Sequence, residues 1–240
     1  MTLNIAHRGF SALYPENTML AFKKAKEEGF CDGIELDVQL TKDLVPVIIH
    51  DEKLERTTGV KGFVKDFTYS EIRTFNAGEN EKIPSLEEYL EFAKENNIYT
   101  NIELKNSILE YSTMEEKTLD LIDKFNFKNR IILSSFNHES MSKIKTIDKT
   151  IKTGILYDSI LLSPHKYCQM CGADAMHPNY ISLLLSRNSL KNMLKNNIEV
   201  NSYTINKESH MRKFIKEGIT SIITNHPDKL HQILIDEKRI

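Results

Sequence analysis

Short β-branched runs alternate along this chain with longer segments whose apolar residues recur every three or four positions. The runs fall at 3–7, 33–38, 100–104, 130–134, 152–156, 173–177, 199–204 and 221–224. Between them, sets such as Leu86, Tyr89, Leu90 and Ala93, or Leu190, Met193 and Leu194, mark one face of a helix. Strand and helix in alternation predict a parallel sheet with helices outside it. Eight such units predict closure into an α/β (β/α)8 barrel.

One run breaks the alternation. Val45-Pro46-Val47-Ile48-Ile49-His50 follows the second strand after only residues 39–44. A parallel crossover needs about a dozen residues or more, so the run is expected to fold back as an antiparallel hairpin strand, turning near Lys42 and Asp43. Pairing back from that turn sets His50 level with Glu35 and Asp37. The stretch 51–84 is longer than a tight connection requires and contains Thr57-Thr58-Gly59, a short helix predicted over 70–75, and Asn76-Ala77-Gly78. Loops of this size in compact barrels are often lids or substrate walls. No low-complexity stretch or Pro/Gly-rich linker divides the sequence, so residues 1–240 are read as a single barrel domain with an insertion or lid at about 51–84.

Composition narrows the classes. The 240 residues are 40% hydrophobic and 28% charged, with 32 Lys and Arg against 34 Asp and Glu. A net charge of −2 does not suggest nucleic-acid binding through an overall field. The first residues hold no basic run followed by a long apolar stretch, and no apolar run approaches the ~20 residues of a bilayer span. The expectation is a soluble, cytoplasmic protein with no stable membrane insertion. Of the three cysteines, Cys168 and Cys171 form a CxxC. With no second CxxC or His pair beside it, a structural zinc lacks a complete ligand set.

The chemistry gathers where barrel enzymes assemble their sites, at the C-terminal ends of the strands. The first strand ends in His7-Arg8-Gly9, the second carries Glu35-Leu36-Asp37, its hairpin ends in His50-Asp51, and the fourth run ends in Glu103-Leu104-Lys105. Glu35 and Asp37, two apart on a strand, share a face. With Glu103 they make a cluster of hard oxygen donors suited to Ca²⁺ or Mg²⁺. Ion pairing with Lys or Arg is the alternative. Charge inside the apolar setting of Ile34, Leu36 and Val38 is costly unless compensated, which favours a cation. His7 and His50 reach the same mouth and titrate near neutrality, as a general base and acid must. Arg8 and Lys105 add fixed positive charge suited to phosphate oxygens. Two acid/base groups, a divalent-metal site and a phosphate clamp are what phosphodiester hydrolysis needs.

Several motifs in order now carry a resemblance. His7-Arg8-Gly9 with Pro15-Glu16-Asn17-Thr18, then Ile34-Glu35-Leu36-Asp37-Val38, Thr41-Lys42-Asp43, His50-Asp51 and Arg56-Thr57-Thr58-Gly59 resemble the signature of the glycerophosphodiester phosphodiesterase family. Pro84-Ser85-Leu86, Asn101-Ile102-Glu103-Leu104-Lys105, Ser135-Phe136, Tyr203-Thr204-Ile205-Asn206 and the closing stretch from Ile222 to Pro227 continue it across nearly the whole chain.

The resemblance implies a TIM barrel that uses a divalent cation (Ca²⁺ or Mg²⁺, with Mn²⁺ admitted) and splits small glycerophosphodiesters into glycerol 3-phosphate and an alcohol. It implies that Glu35, Asp37 and Glu103 hold the metal, that His7 and His50 are the acid/base pair, and that Arg8 and Lys105 hold phosphate. The family's route has the glycerol 2-hydroxyl attack phosphorus to give a cyclic intermediate, which water opens. Glu16 and Asn17 are expected to buttress the mouth, although Asn17 reads best as the N-cap of the first helix. Tyr203 stands where the family usually has Trp, as an aromatic wall on the glycerol side. Asn225 replaces the usual Asp, and Lys42-Asp43-Leu44 the usual Asp-Gly turn. Lysophospholipase D or phospholipase C-like action on lipid phosphodiesters is the alternative, with Leu54, Val60, Phe63, Val64 and Phe67 as its apolar entrance. A silent binding protein is disfavoured because His7 and His50 are both present. Association into a homo-oligomer is left open.

Overall fold

The computed structural model describes residues 1–186 and 188–237. Its nine strands are β1 (Leu3–His7), β2 (Gly33–Leu40), β3 (Pro46–Ile48), β4 (Tyr99–Leu104), β5 (Ile131–Ser135), β6 (Lys152–Tyr157), β7 (Ala175–Pro178), β8 (Glu199–Ser202) and β9 (Ser221–Thr224). Eight close into a ring, because β1 pairs with both β2 and β9, and every pairing around the ring is parallel. The chain is a TIM barrel with its helices outside. Outside the ring, β3 pairs antiparallel with the far end of β2, Val38 opposite Ile48 and Leu40 opposite Pro46. The turn before it places Leu44 at φ 60°, the left-handed conformation a Gly would adopt more readily.

Strand alternation sorts the chemistry. Ile34, Leu36 and Val38 lie in the apolar shell between ring and helices, so Glu35, Asp37 and Gln39 point the other way, into the barrel. The helix Leu86–Glu95 shows how the outer layer is built. Ser85 caps it in a capping box with Glu88, and Leu86, Tyr89, Leu90 and Ala93 are buried. A second, smaller apolar cluster joins Val47 and Ile49 to Leu54, Val64, Ile72 and Ile83, with Val60 and Phe67 packed against it. The stretch after β3 therefore carries a small core of its own.

Some boundaries differ from the sequence expectation. The short helix predicted over 70–75 is Tyr69–Ile72, because Thr68 caps it with Glu71 as the reciprocal partner. The seventh run begins at Ala175, since Gly172 turns at φ 67° and Asp174 accepts the Thr153 N–H. The eighth strand ends at Ser202, with Tyr203 reached only by an isolated bridge to Asn179. Cys168 and Cys171 are free thiols. Burial pushes Cys168 up to about 12 and Cys171 upward as well, which disfavours the thiolates that metal binding or redox chemistry would use.

The barrel interior carries polar side chains that pair with one another, although His177 Nδ1 has no hydrogen-bond partner among the described residues. Ser134 Oγ donates to Asn101 Oδ1 at 2.9 Å, and Ser221 Oγ to Asn201 Oδ1 at 2.7 Å. Asn201 Nδ2 lies 2.9 Å from Nε2 of His177, which is fully buried. Gly154 makes room for that ring, because a Cβ there would sit 2.3 Å from His177 Nε2.

Burial holds the His177 imidazole down at about 3, so it stays neutral in the fold. In the unfolded chain it titrates near 6.5. Below that pH the unfolded state binds the extra proton, so the stability contributed by neutral His177 is present above pH 6.5 and drains away as pH falls towards 3. Urea unfolding at pH 7.5, 6.0 and 5.0 should show this decline, and His177→Gln should flatten it by up to about 1.4 kcal/mol per pH unit. Parallel profiles in the two proteins would contradict the assignment.

Candidate active site

Register brings the carboxylates together. His7 on β1 lies beside Glu35 on β2, and Asp37 on β2 beside Glu103 on β4. Glu35, Asp37 and Glu103 are 3%, 1% and 9% exposed. Each offers one oxygen within 4.8 Å of the others. Burial, with Asp37 and Glu103 close by, pushes the Glu35 carboxyl well above its ordinary range. Burial and Asp37 raise Glu103 too, against the pull of Lys105. Asp37 differs. Burial works against its charge, yet Arg8 and Lys105 hold it down at about 2.

The two cations sit among the carboxylates. Arg8 occupies the left-handed region at φ 55°, and Gly9 follows at φ 81°, packed so closely that a Cβ would lie 2.8 Å from Ala21. That turn aims the Arg8 N–H at Glu35 Oε2 (3.0 Å) and brings its Nε into an ion pair with Asp37 Oδ2 (3.2 Å) without a directed hydrogen bond. Lys105 Nζ donates to Glu103 Oε1 at 2.9 Å and stands 3.2 Å from His50 Nε2.

The chain brings His50 here through the exit of β3. Ile49 N–H donates to Asp37 O at 2.9 Å, and Gln39 Nε2 to the His50 carbonyl at 3.0 Å. Each histidine is tethered at Nδ1. His7 Nδ1 lies 2.6 Å from Asn225 Oδ1, and His50 Nδ1 lies 2.7 Å from Asp51 Oδ1. Both partners are acceptors, so each Nδ1 carries a proton and Nε2 is the nitrogen left to the cluster, 3.9 Å from Glu35 Oε2 for His7 and 3.2 Å from Lys105 Nζ for His50. Burial, then Arg8, lowers His7 to about 4.

Comparison with known proteins gives this arrangement a lineage. The model of the Glycerophosphoryl diester phosphodiesterase family matches residues 7–229. The chain belongs to that family. A glycerophosphodiester phosphodiesterase of Caldanaerobacter subterraneus subsp. tengcongensis is 42% identical, covering 95% of this chain and 96% of its own. One from Bacillus altitudinis is 38% identical, covering 97% and 98%. The structure of an Oleispira antarctica phosphodiesterase, in complex with the product sn-glycerol-3-phosphate, superposes with a TM-score of 0.88 at 25% identity and covers 96% of both chains. Membership in the glycerophosphoryl diester phosphodiesterase family makes the chain a phosphoric diester hydrolase.

As a glycerophosphoryl diester phosphodiesterase site, the acidic cluster could hold a divalent cation. Asp37 Oδ1 is buried with no hydrogen-bond partner among the described residues, and three carboxylates outnumber the two cations beside them. That negative surplus calls for either protons or a metal ion. Sequence reading placed Asn17 as an N-cap; the structure corrects this. Thr18 is the cap and accepts from Ala21 N–H, while Asn17, buried at φ 57°, donates from Nδ2 to Asp37 Oδ2 at 2.8 Å. Two positioning partners, Asp51 and Asn225, were missed. The only signal for Asp51 was its place directly after His50, and none marked Asn225 as the partner of a residue 218 positions away. Tyr203 meets Phe136 edge to face at 6.1 Å and donates its hydroxyl to Tyr157 O at 3.1 Å. A surface groove of about 580 Å³, lined by Leu190, Lys191, Leu194, Lys195 and Glu217, shares no residue with the site.

Neutralising one member of a buried like-charge cluster should stabilise the fold. Glu35→Gln is expected to raise the thermal unfolding midpoint in EDTA, equivalent to about 1 kcal/mol. A lower midpoint would show that Glu35 is better compensated than its surroundings indicate.

Proposed function

We propose that the chain hydrolyses glycerophosphodiesters to glycerol 3-phosphate and an alcohol, with a divalent cation held by Glu35, Asp37 and Glu103. The observation that carries this reading is three buried carboxylate oxygens within 4.8 Å of one another, beside two tethered histidines. When bound, the cation would neutralise charge on the phosphoryl oxygens. Ca²⁺, Mg²⁺ and Mn²⁺ all suit such oxygen donors.

The chain's own residues do the rest. Arg8 and Lys105, set among the carboxylates, receive the phosphate oxygens. His7 and His50 form the acid/base pair, one neutral imidazole accepting the proton of the attacking oxygen at its Nε2 and the other, entering the step as imidazolium, giving its Nε2 proton to the leaving oxygen. With each Nδ1 held, every proton passes through an Nε2. Tyr203 and Phe136 provide an aromatic wall on the glycerol side. On this reading the chain works as one barrel unit, with 51–84 as a wall of the mouth and the β2–β3 hairpin as the device that delivers His50.

A second reading, lysophospholipase D or phospholipase C-like action on lipid phosphodiesters, has one observation in its favour. Ile160 and Leu162 follow the end of β6, Ile181 and Leu185 follow β7, and all four are exposed. Of the five residues of the apolar entrance, Leu54 and Val64 are fully buried in the second cluster, while Val60, Phe63 and Phe67 are half-buried.

Release of glycerol 3-phosphate from glycerophosphocholine should occur with Ca²⁺ or Mg²⁺, stop in EDTA and return on add-back. Activity indifferent to EDTA would remove the metal from the reading, and cleavage of lysophosphatidylcholine alone would favour the second one. His50→Ala should cut turnover by about 10²–10⁴-fold while leaving the circular dichroism spectrum and unfolding midpoint near wild type. Wild-type turnover in that variant would sink the acid/base role.

A further inference from the structure

Arg56 lies outside the cluster just described, in the short helix Glu55–Thr58 of the segment that follows β3. Its guanidinium joins two carboxylates that come from different parts of the chain. Nε and Nη2 donate to the two oxygens of Asp51 at 2.6 and 3.1 Å. Nη2 and Nη1 donate to the two oxygens of Glu16 at 2.6 and 3.1 Å. Each carboxylate turns its remaining capacity inward, Asp51 Oδ1 to His50 Nδ1 at 2.7 Å and Glu16 Oε1 to Arg8 Nη1 at 2.9 Å. Arg8 in turn reaches Asp37. The side chains of His50, Asp51, Arg56, Glu16 and Arg8 thus form one unbroken chain across the mouth.

We infer that Arg56 is a positioning residue, setting His50 through Asp51 and Arg8 through Glu16 so that the proton-transfer group and the phosphate clamp keep a fixed spacing. This inference rests on the roles given to His50 and Arg8 above. The simpler view is a surface ion pair, since the Arg56 side chain is 48% exposed, and such pairs contribute little stability. That view accounts for one pairing but not for a single fork gripping two carboxylates that each hold a site residue. The planar fork can grip both at once; a Lys ammonium, a point charge, cannot reproduce four directed bonds. Without Arg56, Asp51 and Glu16 lose the cation between them and repel each other. Asp51 then releases the Nδ1 proton of His50, the ring rotates or changes tautomer, and Nε2 no longer faces the reacting oxygen. Arg8 loses its brace by the same event.

The test compares wild type with Arg56→Ala, Arg56→Lys, Asp51→Asn and Glu16→Gln, each checked for an unchanged circular dichroism spectrum. On glycerophosphocholine, Arg56→Ala should lose about 10- to 100-fold in kcat, the scale of a small misplacement of a reacting group. Arg56→Lys should recover only part of it, and added methylguanidinium should restore part of the Arg56→Ala rate. Asp51→Asn should lower kcat mainly, and Glu16→Gln should raise KM mainly. Independently of turnover, the Nδ1–H resonance of His50, assigned by its loss in His50→Ala, should be slow to exchange in wild type and fast in Arg56→Ala. An unchanged kcat in Arg56→Ala, or a lost kcat with the His50 proton still protected, overturns the inference. Should wild type release no glycerol 3-phosphate, the proposed substrate fails while the proton-exchange comparison still decides the role of Arg56. Should Arg56→Ala not fold, Arg56→Gln carries the same comparison.

Discussion

Like charge held out of water is the constraint on which this molecule turns. Glu35, Asp37 and Glu103 crowd into one level of the barrel, nearly without solvent, and an uncompensated arrangement of that kind would cost several kcal/mol per ion. Everything nearby answers to it. Arg8 takes an unusual backbone conformation to place both its N–H and its guanidinium on carboxylates. Lys105 lies between Glu103 and His50, and Asn17 turns inward to reach Asp37. The result is a site whose occupants are fixed by one another more than by the strands that carry them.

Such a concentration is tolerable because stability is provided elsewhere. The apolar shell between ring and helices, with Ile34, Leu36 and Val38 on the reverse of the acidic strand, does the work of holding the barrel. Inside the ring, polar groups pair among themselves, as Ser134 does with Asn101 and Ser221 with Asn201. One strand thus serves both purposes on its two faces, and a shift of register by one residue would exchange them.

Much of this was legible in the sequence, and the reasons differ by level. The alternation of runs and helical stretches located the eight ring strands because sheet and helix periods differ. Counting residues between β2 and the next apolar run ruled out a crossover, which is how His50 could be placed beside Glu35 and Asp37. Strand ends were less legible. Tyr203 lies just past the ladder, and its hydroxyl bonds the Tyr157 carbonyl, a contact over 46 positions that the sequence does not mark. Asn17 was misread because Asn and Thr are both good caps, and only the third dimension shows that Asp37 claims one of them. The tether on His7 was invisible for the same reason, since its hydrogen bond to Asn225 joins opposite ends of the chain.

The second apolar cluster matters for how such a molecule can diversify. Leu54, Val64, Ile72 and Ile83 pack with Val47 of β3 and Ile49 just beyond it, in a cluster separate from the shell around the ring. Insertions or exchanges at the surface of that segment, Arg56 excepted because it ties Asp51 to Glu16 and Arg8, would therefore change what lies next to His50 without disturbing the carboxylates opposite. A lineage built this way can try new substrates on one bank of the mouth while its chemistry stays put on the other.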